Sequence, residues 1–175
     1  MISPKIQEAL NKQLNEEFNS AYYYLSVAAY FEDVDLRGFA HWMKLQYQEE
    51  LVHADKVYIF INDRDGQVVL QPIAAPCAQW DSPLDAFESA LKNEQGLSQK
   101  IYEVVDQALQ ERDHATHTFM QWFVNEQVEE EAIVRDIVRD LKMIGDSKDG
   151  LFLMDRDLAG RQPGQERDMQ SQAGV

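Results

Sequence analysis

A chain of 175 residues with 45% hydrophobic and 27% charged side chains is long enough to bury one core, and its composition is unlike that of disordered or fibrous proteins. The 16 basic and 31 acidic residues leave a formal net charge of −15, which argues against nucleic acid and anionic membrane as partners and makes cations the natural ligands. No apolar run reaches the roughly 18 to 20 residues of a membrane span. No basic-then-apolar leader precedes the first helical pattern and Cys77 is the lone cysteine, so the expected setting is cytoplasmic.

Ser3-Pro4 reads as an N-cap followed by proline in the first turn, and a helical pattern continues to about Phe31. Asp35 is placed to cap a second helix that runs to about Asn62 and stops before the turn-like Asp63-Arg64-Asp65-Gly66. Ser82-Pro83, with Asp85 three residues after the cap, opens a third helix that reaches about Glu111. Asp113 opens a fourth, which Gly145 ends. A shorter amphipathic segment, Ser147 to Leu158, follows, and the domain is expected to close at residue 160, leaving 161–175 as a mobile tail.

Helices of about 27 to 30 residues are roughly 40 Å long, which suits a long bundle. Short turns make the first and second helices, and the third and fourth, antiparallel neighbours. The segment from Arg64 to Asp81 can stretch to about 60 Å, enough to cross the bundle and let the second and third helices run parallel. Its Gln67-Val68-Val69-Leu70 stretch reads as extended.

Each helix carries an apolar stripe interrupted near its middle by a glutamate. On the first, Ile6, Leu10 and Leu14 give way to Glu17 before Ala21, Tyr24, Ala28 and Phe31. The second runs Phe39, Met43, Gln46, Glu50, His53, Val57 and Phe60; the third runs Leu84, Phe87, Leu91, Glu94, Ser98, Ile101 and Val105. The fourth runs Met120, Phe123, Gln127, Glu130, Val134, Ile137 and Leu141. Glutamate is almost never buried without a partner, and no lysine or arginine lies on these stripes. Two divalent metal ions would neutralise Glu17, Glu50, Glu94 and Glu130. Glu50 and His53, at i and i+3, project toward one point, and the imidazole adds a nitrogen ligand that magnesium or calcium sites do not need.

These residues closely resemble the motifs of bacterial non-haem ferritins: Asn15-Glu16-Glu17, Glu49-Glu50-Leu51-Val52-His53, Asn93-Glu94 and Asn125-Glu126-Gln127-Val128-Glu129-Glu130. The resemblance covers about Ser3 to Leu158. It implies an all-α, ferritin-like four-helix bundle with a long crossover between helices two and three and a short fifth C-terminal helix. It also implies iron storage with ferroxidase activity: Fe(II) oxidised by dioxygen at a di-iron centre and deposited as a ferric mineral. In that reading Glu50 bridges two irons, Glu17 and His53 complete one site, and Glu94 with Glu130 complete the other. Gln127 is their hydrogen-bonding neighbour. Gln127-x-x-Glu130 is similar to ferritins rather than to bacterioferritins or di-iron oxygenases. Leu51 stands where bacterioferritin carries its haem-ligating methionine, so no haem is expected.

Three further expectations follow from the same resemblance. Tyr24 reads from spacing as a core tyrosine, and the resemblance makes it a redox-active neighbour of the irons. Glu49, Glu126 and Glu129, each one residue from an interior position, point toward the edge between helices two and four; spacing fits a solvated acidic run, whereas the resemblance implies a third iron. The chain is also expected to form a homo-oligomeric shell of about 24 subunits, helped by Leu151, Phe152, Leu153 and Met154. His117 and Met120 take the positions similar to the acidic pore residues of animal-type ferritins, a departure for which the resemblance gives no iron entry route. Two other classes share some of these features: a di-iron oxygenase acting on an organic substrate, and a metal-free helical interaction module.

Overall fold

The computed structural model describes residues 2–163. Five helices follow in order: α1 (Pro4–Asp33), α2 (Arg37–Asp63), α3 (Pro83–Gln110), α4 (His114–Ile144) and α5 (Lys148–Leu158). No helix among the described residues is long and apolar enough to cross a membrane. Four of the five starts have a side-chain cap. Ser3, Ser82, Asp113 and Ser147 accept from the backbone N–H groups of Ile6, Asp85, Thr116 and Gly150, satisfying donors the helix itself cannot.

Helix α2 is the exception and corrects the reading of Asp35. That residue lies at φ 60 in the left-handed region, closing the turn from α1, and the cap position falls to Leu36, whose side chain accepts nothing. The missing acceptor comes from the far end of the chain. Asp155 of α5 takes hydrogen bonds from the N–H groups of Gly38 (2.7 Å) and Phe39 (3.1 Å) through Oδ1. Gly38 makes this approach possible, because a Cβ there would fall 1.6 Å from the carbonyl oxygen of Asp155.

Between α2 and α3 the chain runs along α1 as an irregular strap. Gln7 and Asn11 hold Gln67 and Val69, Asn19 accepts from the N–H of Ala74, and Ser26 donates to the carbonyl of Cys77. Trp80 then packs edge-on against Tyr23 and Tyr30. The strap therefore travels from the start of α1 toward its end, and α2 and α3 run parallel as the length of this segment predicts.

The interior divides into two apolar halves. One gathers Tyr24 to Phe31, Phe39 to Met43, Ala86 to Ala90 and Val134 to Leu141; the other gathers Ile6 to Leu14, Ala54 to Ile61, Leu97 to Ala108, and Met120 with Phe123. Between them lies a belt of buried polar side chains. Helix α5 packs Leu151, Met154 and Leu158 on its own bundle and leaves Phe152 and Leu153 60% and 64% exposed, so its apolar residues divide between the subunit and solvent. Met120 is wholly buried in the second half-core, and His117 is half-buried. Arg161, placed by sequence in the mobile tail, is fixed by an ion pair to Glu49 at 2.7 Å. The rest of that tail beyond residue 163 lies outside the described residues.

Candidate metal centre

The four stripe glutamates meet at one level. Glu17, Glu50, Glu94 and Glu130 are each at most 2% exposed, and His53 is 4% exposed. Their helices place them there because the same 3.6-residue period that buries leucine and phenylalanine above and below carries these positions inward. Glu17, Glu50 and His53 form one tight group, each offering a ligand atom within 4.8 Å of the others. His53 Nδ1 lies 3.4 Å from Glu50 Oε2 and 3.9 Å from Glu17 Oε2.

The hydrogen bonds around this group define what it lacks. Gln13 donates to Glu17 Oε1 at 2.7 Å and Ser20 to Glu50 Oε1 at 3.0 Å, while Oε2 of both glutamates is buried with no hydrogen-bond partner. Two buried carboxylate oxygens facing one imidazole nitrogen are neutralised either by retained protons, shared between Glu17 and Glu50, or by a cation. An iron ion fits this donor set of two hard oxygens and one borderline nitrogen.

Glu94 and Glu130 belong to the same belt but lie outside that group. Tyr24 donates its hydroxyl to Glu94 Oε1, and Gln127 Nε2 donates to Glu94 Oε2 at 3.0 Å. Gln46 Nε2 donates to Glu130 Oε2 at 2.8 Å. Neutral donors orient these two carboxylates without supplying positive charge. Burial pushes all four glutamates above their ordinary 4.5, and for Glu50 and Glu130 the charge of Glu94 adds to it. The Tyr24 phenol is raised well above 10 by burial and then by Glu94, so it keeps the proton it donates.

The outer trio is less uniform than its spacing suggests. Glu126 is buried at 7% exposure, with Oε1 3.9 Å from His53 Nε2, on the side of the ring opposite Glu17 and Glu50. Glu49 is mostly buried beneath Arg161, and Glu129 is half-buried. Glu126 is thus buried while Glu49 and Glu129 are partly exposed, and among the described residues only Glu17, Glu50 and His53 come close enough together to form a metal-sized group. Gln13 and Ser20 were not singled out by sequence, although i and i+4 spacing from Gln13 to Glu17, and i and i+3 from Glu17 to Ser20, put them on the same face. Gln46 lies on the apolar stripe of α2, but only its contact with Glu130 reveals its role. Arg161 carries no periodic signal at all.

A bundle of four long helices with a strap between the second and third, enclosing a belt of carboxylates and one histidine, defines a four-helix protein of the ferritin-like type with one candidate carboxylate–histidine metal group. Residues 7–144 match the ferritin-like domain. The bacterial non-heme ferritin of Staphylococcus saprophyticus is 38% identical over 161 residues, 92% of this chain and 96% of that protein. Its Staphylococcus aureus counterpart is 37% identical over 92% of this chain and 97% of its own length. Among solved structures, an open-pore ferritin from the hyperthermophilic archaeon Archaeoglobus fulgidus superposes with a TM-score of 0.92 at 49% identity, covering 93% of this chain and all of the other. An engineered closed form of the same ferritin gives 0.92 at 48% identity, covering 93% and 99%. The chain belongs to the ferritin family.

Proposed function

We propose that this protein stores iron as a homo-oligomeric cytoplasmic ferritin and oxidises Fe(II) with dioxygen before depositing it as a ferric mineral. The observation that carries the reading is the pair of orphaned, fully buried oxygens on Glu17 and Glu50 facing His53 Nδ1. The names and near full-length coverage of the relatives support it.

Iron is the substrate. Glu17, His53 and a bridging Glu50 receive one Fe(II), and Glu50 with Glu94 and Glu130 receives the second. Each ion gives one electron, so two ions and two protons take one dioxygen to hydrogen peroxide. Carboxyl groups whose protons are retained by burial release them as iron arrives, which makes loading more favourable as pH rises. Tyr24 holds Glu94 toward the centre through its hydroxyl, a contact that supports its reading as a redox-active neighbour of the irons. Gln127 holds the other oxygen of the same carboxylate. Glu49, Glu126 and Glu129 form a third, weaker iron place beside His53.

The test is stopped-flow oxidation of two Fe(II) per chain. Glu50→Ala and His53→Ala are expected to lose the fast phase, by at least about tenfold for a lost ligand, while circular dichroism stays helical. Fast oxidation at the wild-type rate in both variants removes the assignment. In the same samples, a tyrosyl radical present in wild type and absent in Tyr24→Phe is the expected magnetic-resonance result; identical signals exclude Tyr24 as the donor. Retention of only two iron atoms per chain after repeated aerobic loading would indicate an oxygenase-type centre instead of storage.

A further inference from the structure

Arg161 follows α5 by three residues and brings a positive charge to the edge of the carboxylate belt. Its Nη2 lies 2.7 Å from Glu49 Oε2, with the two side chains 9% and 13% exposed. Nη1 donates to Gln46 Oε1, the guanidinium carbon sits 4.8 Å from the centre of the Trp42 ring, and the residue's own carbonyl is 2.9 Å from His41 Nε2. A guanidinium can only donate, so Gln46 must turn its oxygen toward Arg161 and its amide nitrogen toward Glu130 Oε2. One arginine thus pairs with Glu49 and orients the partner of Glu130.

A groove of about 420 Å³ lies alongside, lined by Leu45, Glu49, Val52, His53 and Trp122, with Pro163 at its margin. It leads from solvent to Glu49 and His53. The wall carrying Pro163 belongs to the short segment that also carries Arg161. That segment lies outside the helices, so its displacement would break the contacts of Arg161 with Glu49, Gln46, Trp42 and His41 without unwinding a helix.

We infer that Arg161 is a tethered cation that occupies the place of a metal ion beside Glu49, so that a third cation binds only by displacing it. This rests on the reading of Glu49, Glu126 and Glu129 as a third iron place. The guanidinium keeps its charge at every physiological pH. The exchange therefore depends on cation concentration and not on protonation of the arginine: the two inner ions load first, and the third enters when free metal is abundant enough to compete. Because Gln46 is held by the same guanidinium, displacement also frees Gln46 to turn, linking the outer place to Glu130.

The test uses Zn(II), which is redox-inert, titrated calorimetrically into the assembled protein. Wild type is expected to bind two ions tightly and a third weakly, and Arg161→Gln to bind the third about tenfold or more tightly, the scale of one charge-assisted hydrogen bond. Arg161→Lys, which keeps the charge, is expected to restore most of the weakening. Failure to restore it would assign the effect to packing on Trp42 and overturn the inference. Amide hydrogen exchange of residues 159–163 is expected to rise in wild type with the third Zn(II) and not with the first two. Equal third-ion affinity in wild type and Arg161→Gln removes the tethered cation while leaving the third place standing. Only two ions bound in Arg161→Gln removes the third place and the inference with it.

Discussion

Glu17 shows how far this protein departs from a core built for stability. Burial and then the charge of Glu50 raise its carboxyl above the ordinary 4.5. Between that value and the raised one, the folded chain keeps a proton that the unfolded chain has lost. The stability of the metal-free chain therefore falls as pH climbs through this window. A divalent ion reverses the sign, because it favours the ionised carboxylate. Glu17→Gln keeps the shape and leaves Gln13 an oxygen to donate to, so metal-free protein at pH 7 is expected to gain about 1 kcal/mol or more, with the gain shrinking toward pH 4. Urea melts of both forms at several pH values check this; a variant no more stable than wild type at pH 7 would contradict the proton accounting.

At the scale of helices, α2 depends on α5 for its cap. Asp155→Ala removes the acceptor for Gly38 and Phe39 and is expected to cost about 1 kcal/mol, read as a lower melting temperature with α5 loosened first in hydrogen exchange. An unchanged melt together with unchanged exchange in α5 would show that water replaces the carboxylate at no cost. This contact marks the limit of what the sequence reveals. Caps at Ser3, Ser82 and Asp113 are local, each satisfied within three residues, and were therefore legible; the four stripe glutamates were legible because helical period alone buries them. Asp155 serves residues more than a hundred positions away, and Arg161 reaches Glu49 across a similar distance. Neither contact leaves a periodic trace. Asp35 misled for the complementary reason: aspartate suits both a cap and a left-handed turn, and the tight link from α1 selected the turn.

For the whole molecule, Phe152 and Leu153 stay exposed on α5 while Leu151 and Met154 anchor it to its own bundle. An anchored helix with an uncovered apolar face supports burial against further copies in a closed shell. In the proposed shell, about 24 chains at −15 each would carry on the order of −360, a charge expected to draw in Fe(II) at low salt. Sedimentation of wild type is expected to show a single large species, and Phe152→Asp with Leu153→Asp to shift it toward smaller ones. A wild type that remains monomeric or dimeric at micromolar concentration contradicts the shell. The strap from residue 64 to 82 has one more consequence. It divides the chain into two helical hairpins, the first holding Glu17, Glu50 and His53 and the second Glu94, Gln127 and Glu130. Each hairpin closes over a short turn, whereas their union waits on the long strap. A chain made from its N-terminus therefore completes the hairpin that carries Glu17, Glu50 and His53 before the one that carries Glu94, Gln127 and Glu130, and the polar belt is whole only once the two hairpins have docked.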